Sequence, residues 1–198
     1  MPAARRGAGA RRDRGAARAA AARGGVTRWA ALPRAINAGK TLKMADLRAF
    51  LIAEGMRDVV TLLASGNAVF ECDESDAEAI EDRLAAAARD RLSLDTDWFV
   101  RSHDELVAIA AANPFPDASA ARPNLLMVLF FHDPVDPARL PRDHGGPERL
   151  HAVGRDLFVD YAGGVGRSKL EPAMRRAKLP PATARNWNTL LKLVAATA

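Results

Sequence analysis

Four short stretches of this chain gather cations, amides and glycines closely enough to hold an anion. The first, Pro33-Arg34-Ala35-Ile36-Asn37-Ala38-Gly39-Lys40, brings Arg34, Asn37 and Lys40 within seven residues. A turn with exposed backbone donors and two cations, set between a strand and a helix, is an anion site in chemical terms. It also has the form of an ordinary strand-to-helix connection, which is short and polar by default. The second stretch, Ser65-Gly66-Asn67, adds amide donors and a tight-turn signal. The third is Gly166-Arg167-Ser168-Lys169, and the fourth is Arg185-Asn186-Trp187-Asn188-Thr189.

Each of these has a purely structural alternative. Arg34 pairs a phosphate or carboxylate bidentately, or else forms a salt bridge to Asp46 or another acid. Ser168 and Glu171 have capping-box spacing, so the donors that Arg167 and Lys169 would share with an anion are also claimed by the cap. In the fourth stretch Arg185 and Asn186 orient a ligand against the indole of Trp187. The structural reading, which we favour, has Asn186 or Asn188 capping a helix, Trp187 packing the core and Arg185 pairing an acid. Ser65 is not read as a nucleophile, because no histidine stands near it in sequence. The histidines at 103, 132, 144 and 151 share no metal-ligand spacing. No Gly-x-x-x-x-Gly-Lys-Ser/Thr loop occurs, which argues against nucleotide hydrolysis. Neither a metal nor another cofactor is expected.

The elements that must position these residues follow from the apolar pattern. Thr27 to Leu32 reads as a strand; Met44, Leu47 and Leu51 mark an amphipathic helix ended by Gly55. Val59 to Leu63 and Ala68 to Phe70 are strands around the Ser65-Gly66-Asn67 turn. Ser75 and Glu78 form a capping box before a helix carrying Ile80 and Leu84, and Trp98 to Val100 is a fourth strand. Ser102 and Glu105 cap another helix, which stops before Asn113-Pro114. The pattern then repeats: a strand at 125–131, a short helix from Pro134 to Leu140, and a hairpin of 151–153 with 157–159 around Gly154-Arg155. A helix reaching about Lys178, a strand at 183–185 and a closing helix from Trp187 complete it. This predicts an α+β fold of two ferredoxin-like β-α-β-β-α-β plaits, with antiparallel or mixed sheets and helices on one face. We divide the chain into a tail at 1–25, a first plait at 26–112, a connection at 113–124 and a second plait at 125–198.

Topology has a consequence for the candidate residues. The first two strands of such a unit are parallel, since the crossover helix returns the chain to its starting end. Arg34, Asn37 and Lys40 are therefore expected at the same end of the sheet as Ser65, Gly66 and Asn67. The equivalent end of the second plait carries His132-Asp133 and Gly154-Arg155.

Charge is unevenly spread. Residues 1–25 hold seven arginines and one aspartate, whereas the rest of the chain carries 22 Lys plus Arg against 23 Asp plus Glu. The basic tail is Ala-, Arg- and Gly-rich without apolar periodicity, and disorder is expected. Nucleic-acid binding through phosphates and a transit peptide are two readings of it. The third, which we adopt, is an over-extended start of translation. The near-neutral body is not expected to bind nucleic acid, and no run approaches a membrane span. A single cysteine, Cys72, excludes an internal disulfide and a cysteine-built zinc site. A reducing, cytoplasmic setting is expected, while oligomeric state is not legible.

Several multi-residue motifs in order carry a family resemblance. They are Arg34-x-Ile36-Asn37, Lys43-Met44-x-Asp46-Leu47-Arg48, Ser65-Gly66-Asn67-x-Val69-Phe70, Asn113-Pro114-Phe115, Gly166-Arg167-Ser168-Lys169-Leu170 and Arg185-Asn186-Trp187-x-Thr189. From about Trp29 to Val194 the chain resembles the bacterial family called domain of unknown function 1697. The resemblance implies a small soluble α/β protein of two plait-like halves, and no assigned activity. The chain departs from the family pattern in the first loop, where Ala35 and Ala38 stand in place of glycines, and at Ala64, where glutamine is common. These changes weaken a backbone-lined site.

The functional expectation is a binding protein holding a small anionic or phosphorylated ligand, with the Arg34, Asn37, Lys40, Ser65, Gly66 and Asn67 end of the first plait as its centre. Arg167, Lys169, Arg185 and Asn186 are further candidate contacts. An enzyme acting on such a ligand ranks second, since no general base is singled out by spacing. An RNA-binding module ranks last, because the aromatic residues sit inside apolar runs.

Overall fold

The structure is a computed structural model that describes residues 27–34, 42–63, 66–141 and 143–198; the tail, Asn37, Lys40 and Ser65 lie outside these. The first half contains β1 (Thr27–Pro33), α1 (Met44–Ala53), β2 (Arg57–Leu62), β3 (Asn67–Cys72), α2 (Ala77–Leu92) and β4 (Trp98–Ser102). Its sheet has the order β2-β3-β1-β4. Both β1 and β2 pair antiparallel with β3, so they run in the same direction and finish at the same end of the sheet; of the residues expected there, Arg34, Gly66 and Asn67 are among those described. In β1 alternate residues serve two layers. Trp29 and Ala31 pack with α1 and α2, while Ala30 and Leu32 face the other way, toward the second half. That is why the strand reads as a continuous apolar run rather than an alternating one.

After β4 the chain forms α3 (His103–Ala111) and α4 (Pro116–Ala121), the latter inside the stretch read as a plain connection. The second half contains β5 (Leu126–Phe130), β6 (Arg149–Val153), β7 (Asp156–Asp160), α5 (Leu170–Arg176), β8 (Thr183–Asn186) and α6 (Trp187–Thr197). Its sheet order, β6-β7-β5-β8, is that of the first half strand for strand. Two antiparallel four-stranded plaits are therefore present. The correspondence extends further: α2 matches α5, and α3, which follows β4, matches α6, which follows β8. Apart from the connecting α4 and a 3-10 turn at Val165–Arg167 before α5, the difference lies in the first crossover. Between Pro134 and Leu140 there is a single 3-10 turn, Pro137–Arg139, instead of the expected helix. Pro137 lacks the amide donor a helix there would use, and Pro141 disfavours helical backbone at Leu140.

The two sheets face each other across a shared core. Leu32, Val69 and Phe99 of the first sheet meet Val128, Phe130 and Phe158 of the second, with Leu106 and Ile109 of α3 and Leu190 and Leu193 of α6 filling the space. No described helix is long and apolar enough to cross a membrane.

The caps correct two sequence expectations. Helix α2 is capped by Asp76, whose side chain accepts from Glu78 N, and not by Ser75. Glu74 Oε1 accepts from both Ser75 N and Asp76 N and so holds the entry turn. The Ser168–Glu171 box does not form either. Ser168 Oγ accepts from Leu170 N at 3.0 Å, and Glu171 pairs with Arg175 on the exposed face. The Ser102–Glu105 box does form, with both reciprocal bonds present.

Candidate functional site

The strand β8 lies at the edge of its sheet, and Arg185 pairs with Val128, whose side chain belongs to the core between the sheets. Arg185 therefore points at the first half and not at solvent; it is 7% exposed. Its Nε donates to Asn67 Oδ1 at 2.5 Å and its Nη2 to the Pro33 carbonyl at 3.1 Å. Nη1 donates to Thr183 Oγ1 at 2.7 Å and to the Ala184 carbonyl at 2.9 Å. One guanidinium thus ties the end of β1 to the start of β3, the two chain positions that flank the first loop and the turn.

The expectation that Arg185 pairs an acid is overturned. Every acceptor just named is neutral, and no carboxylate among the described residues lies within ion-pair distance. Burial pushes its guanidinium down to about 10, with no acid opposing the shift. Four of the five guanidinium hydrogens are used by these bonds, which leaves one on Nη2.

The other candidates divide into two groups. Asn67 is buried, and its Nδ2 donates to the Leu62 carbonyl at 2.9 Å across the turn. Gly66 sits at φ +83°, a conformation that favours glycine. Arg34, next to Pro33, is half-exposed and faces Asp97 rather than Asp46, at 3.6 Å. Thr96 Oγ1 donates to the Arg34 carbonyl, and Arg34 N donates to Asp97 O at 2.9 Å, so the backbone here is anchored to the segment entering β4. Arg34, Gly66, Asn67 and Arg185 therefore share one end of the first sheet. Asn186 is adjacent but committed: its Oδ1 accepts from Thr189 N and Thr189 Oγ1 and caps α6. Arg167 and Lys169 are not brought to this group. They are exposed, and Leu170 beside them packs in the outer layer of the second sheet, with Leu129, Leu157 and Val159.

A second arginine occupies the equivalent place in the first half. Arg101 lies on β4, is fully buried, and its Nη2 donates to the Phe131 carbonyl at 2.8 Å, just past the end of β5. The same Nη2 donates to Asp156 Oδ1 at 3.1 Å, Asp156 being the first residue of β7 as Asn67 is of β3. Nη1 bonds the Val100 carbonyl at 3.0 Å and approaches Glu81 Oε1 at 4.0 Å. Glu81 in turn accepts from Val100 N at 2.7 Å and is hydrogen-bonded to His132 Nδ1 at 3.0 Å, with the imidazole stacked on Phe99. Burial lowers the Arg101 guanidinium and raises the Asp156 carboxyl, and each opposes the other's shift. Arg155 pairs with Glu105, which is held below the usual carboxylate range: burial opposes this, but Arg155, the Ser102 backbone and Arg101 together outweigh it.

Sequence reasoning missed this second arginine and the Pro33 carbonyl. The available signal was the repeated order of strand, arginine, capping residue and helix, in Arg101-Ser102 and Arg185-Asn186. A cavity of about 400 Å³ lies elsewhere, lined by Pro137, Leu140, His144, Glu148 and His151 among others. Among the described residues no group of His, Cys, Asp or Glu could hold a metal ion.

Comparison with known proteins agrees with this architecture. The model of DUF1697, described as a protein of unknown function, matches residues 26–158, more than half of the chain. No curated protein matches the sequence. A solved structure, that of conserved bacterial protein SP0830 from Streptococcus pneumoniae, is similar with a TM-score of 0.67 and 23% identity. The match covers 88% of this chain and 100% of that one, a likeness of fold.

Proposed function

Because the chain belongs to DUF1697, a family of unknown function, its activity has to be argued from its own residues, and we propose that it binds a small anionic or phosphorylated ligand at the Arg34–Asn67–Arg185 end of the first plait. The observation that carries this is Arg185, a buried guanidinium held only by neutral acceptors. A buried charge without a counter-charge costs several kcal/mol. An anion about 4 Å away recovers about 4 kcal/mol at an effective dielectric of about 20. That is about a thousandfold in affinity before desolvation of the ligand is subtracted. Arg34 adds a second positive charge that Asp97 only partly satisfies at 3.6 Å on an exposed surface. Gly66, at a positive φ, supports a turn whose backbone can approach a ligand, and Asn37, Lys40 and Ser65, their neighbours along the chain, complete the proposed ligand set by residue type. Arg167 and Lys169 are left out of this ligand set, and Asn186 serves it through the α6 cap. The protein acts in the cytoplasm, in keeping with its single, buried cysteine.

The test is thermal stabilisation of the full chain across a panel of phosphate compounds and small carboxylates at constant ionic strength. Saturable stabilisation that weakens in Arg34→Ala supports the proposal. An unchanged response in that variant removes Arg34 from the site, and no saturable response from any compound sinks the proposal.

A further inference from the structure

The two halves build the same device twice. In each, an arginine on the fourth strand crosses to the other half and bonds a backbone carbonyl at the end of that half's first strand: Arg101 to Phe131, and Arg185 to Pro33. Each also bonds the first residue of the other half's third strand, Asp156 in one case and Asn67 in the other. Each arginine is followed by a residue that caps the next helix, Ser102 and Asn186. The clamps differ in charge. Arg101 has the Asp156 carboxylate at 3.1 Å and Glu81 at 4.0 Å, whereas the acceptors of Arg185 are all neutral.

We infer that Asn67 is the residue that keeps the Arg185 clamp open, so that the counter-charge which the chain's own Asp156 supplies to Arg101 must come to Arg185 from an exogenous small oxyanion. This rests on the ligand site proposed above and assigns Asn67 a role in it beyond contact. Asparagine and aspartate have nearly the same shape, and either oxygen accepts the Nε hydrogen. Only the carboxylate cancels the charge, and in a desolvated setting that difference outweighs the hydrogen bond itself. A carboxylate at position 67 therefore closes the clamp from within and removes its need for a ligand. Thr183 offers the same control from the other side of the guanidinium, where its hydroxyl accepts from Nη1 at 2.7 Å.

The experiment compares the full chain with Asn67→Asp, Thr183→Asp and the charge-neutral Asn67→Ala. Each is titrated with sulfate, phosphate and acetate, against chloride at matched ionic strength, and melting temperature and calorimetric binding are read. The wild type is expected to bind an oxyanion saturably. Asn67→Asp and Thr183→Asp are expected to bind it at least about tenfold more weakly, a loss of about 1.4 kcal/mol or more. Asn67→Ala retains a response, because the unpaired charge remains. Equal binding by the wild type and both aspartate variants overturns the inference and leaves the ligand site standing. So does unfolding of both aspartate variants, because the added carboxylates then fill no vacancy. A wild type that binds none of the three anions overturns the site itself.

Discussion

Arg101 and Arg185 occupy equivalent positions on the fourth strands of the two halves, and each donates to a carbonyl of the opposite half, at 2.8 Å and 3.1 Å respectively. The two plaits are thus held together by a reciprocal pair of buried cations as well as by the apolar layer between them. The cations are not energetically alike, because one is surrounded by carboxylates and the other by neutral oxygens.

That difference predicts an order of stabilities. Arg101→Met strands Asp156 and Glu81 in the interior without their cation, and breaking a buried pair in this way costs about 3 to 5 kcal/mol. Arg185→Met removes the Arg185 hydrogen bonds to the Asn67, Thr183, Ala184 and Pro33 oxygens but also removes an uncompensated charge, so the net cost is expected at about 1 to 3 kcal/mol. Urea unfolding of both variants at neutral pH checks the order. An Arg185→Met variant less stable than Arg101→Met contradicts the charge assignment.

Acid sensitivity is expected to centre on Asp160. Its carboxylate, which is inaccessible to solvent, accepts from Arg122 Nε at 2.8 Å, Arg122 Nη2 at 2.6 Å and Arg149 Nε at 3.0 Å. Its hydrogen bonds to Arg122 lead in holding its pKa below the ordinary 3.8, with Arg149 adding to them and burial opposing. A depressed folded-state value means stabilisation that is complete above 3.8 and is lost as pH falls through the lower, folded value. Asp160→Asn should therefore be less stable than the wild type at neutral pH, and the two should converge on acidification. A constant gap between their unfolding midpoints across that range contradicts the assignment.

The helix entries give a sharper contrast. Ser102→Ala removes a working capping box and should cost about 1 kcal/mol. Asp76→Ala should cost about the same, since Asp76 Oδ1 receives the Glu78 N–H at 3.1 Å. Ser75→Ala should change stability by less than about 0.5 kcal/mol, because its side chain is not the cap. Equal losses at positions 75 and 76 would show that both residues carry the entry turn.

The order of the eight described strands, the two-plait architecture and the parallel run of β1 and β2, which brings Arg34 and Asn67 to one end of the first sheet, were legible in the sequence, whereas α4 and the missing helix at 134–140 were not. The legible features rest on local facts: apolar periodicity, glycine at a positive-φ turn, and a crossover rule that makes β1 and β2 parallel. Where local signals compete, spacing was a poorer guide. Ser75 and Ser168 both matched a capping box, but Asp76 and the Ser168–Leu170 turn offered the backbone shorter routes to the same hydrogen bonds. What only the tertiary structure decided is the meaning of Arg185. Nothing near it in sequence says that Asn67, more than a hundred positions earlier, receives its Nε hydrogen. Nor does anything local say that no described carboxylate shares its surroundings, or that Arg101 is its counterpart with Asp156 and Glu81 beside it. Charge compensation is set by what folding brings within a few ångströms in a desolvated interior, and residue type fixes only which charges are available to be paired.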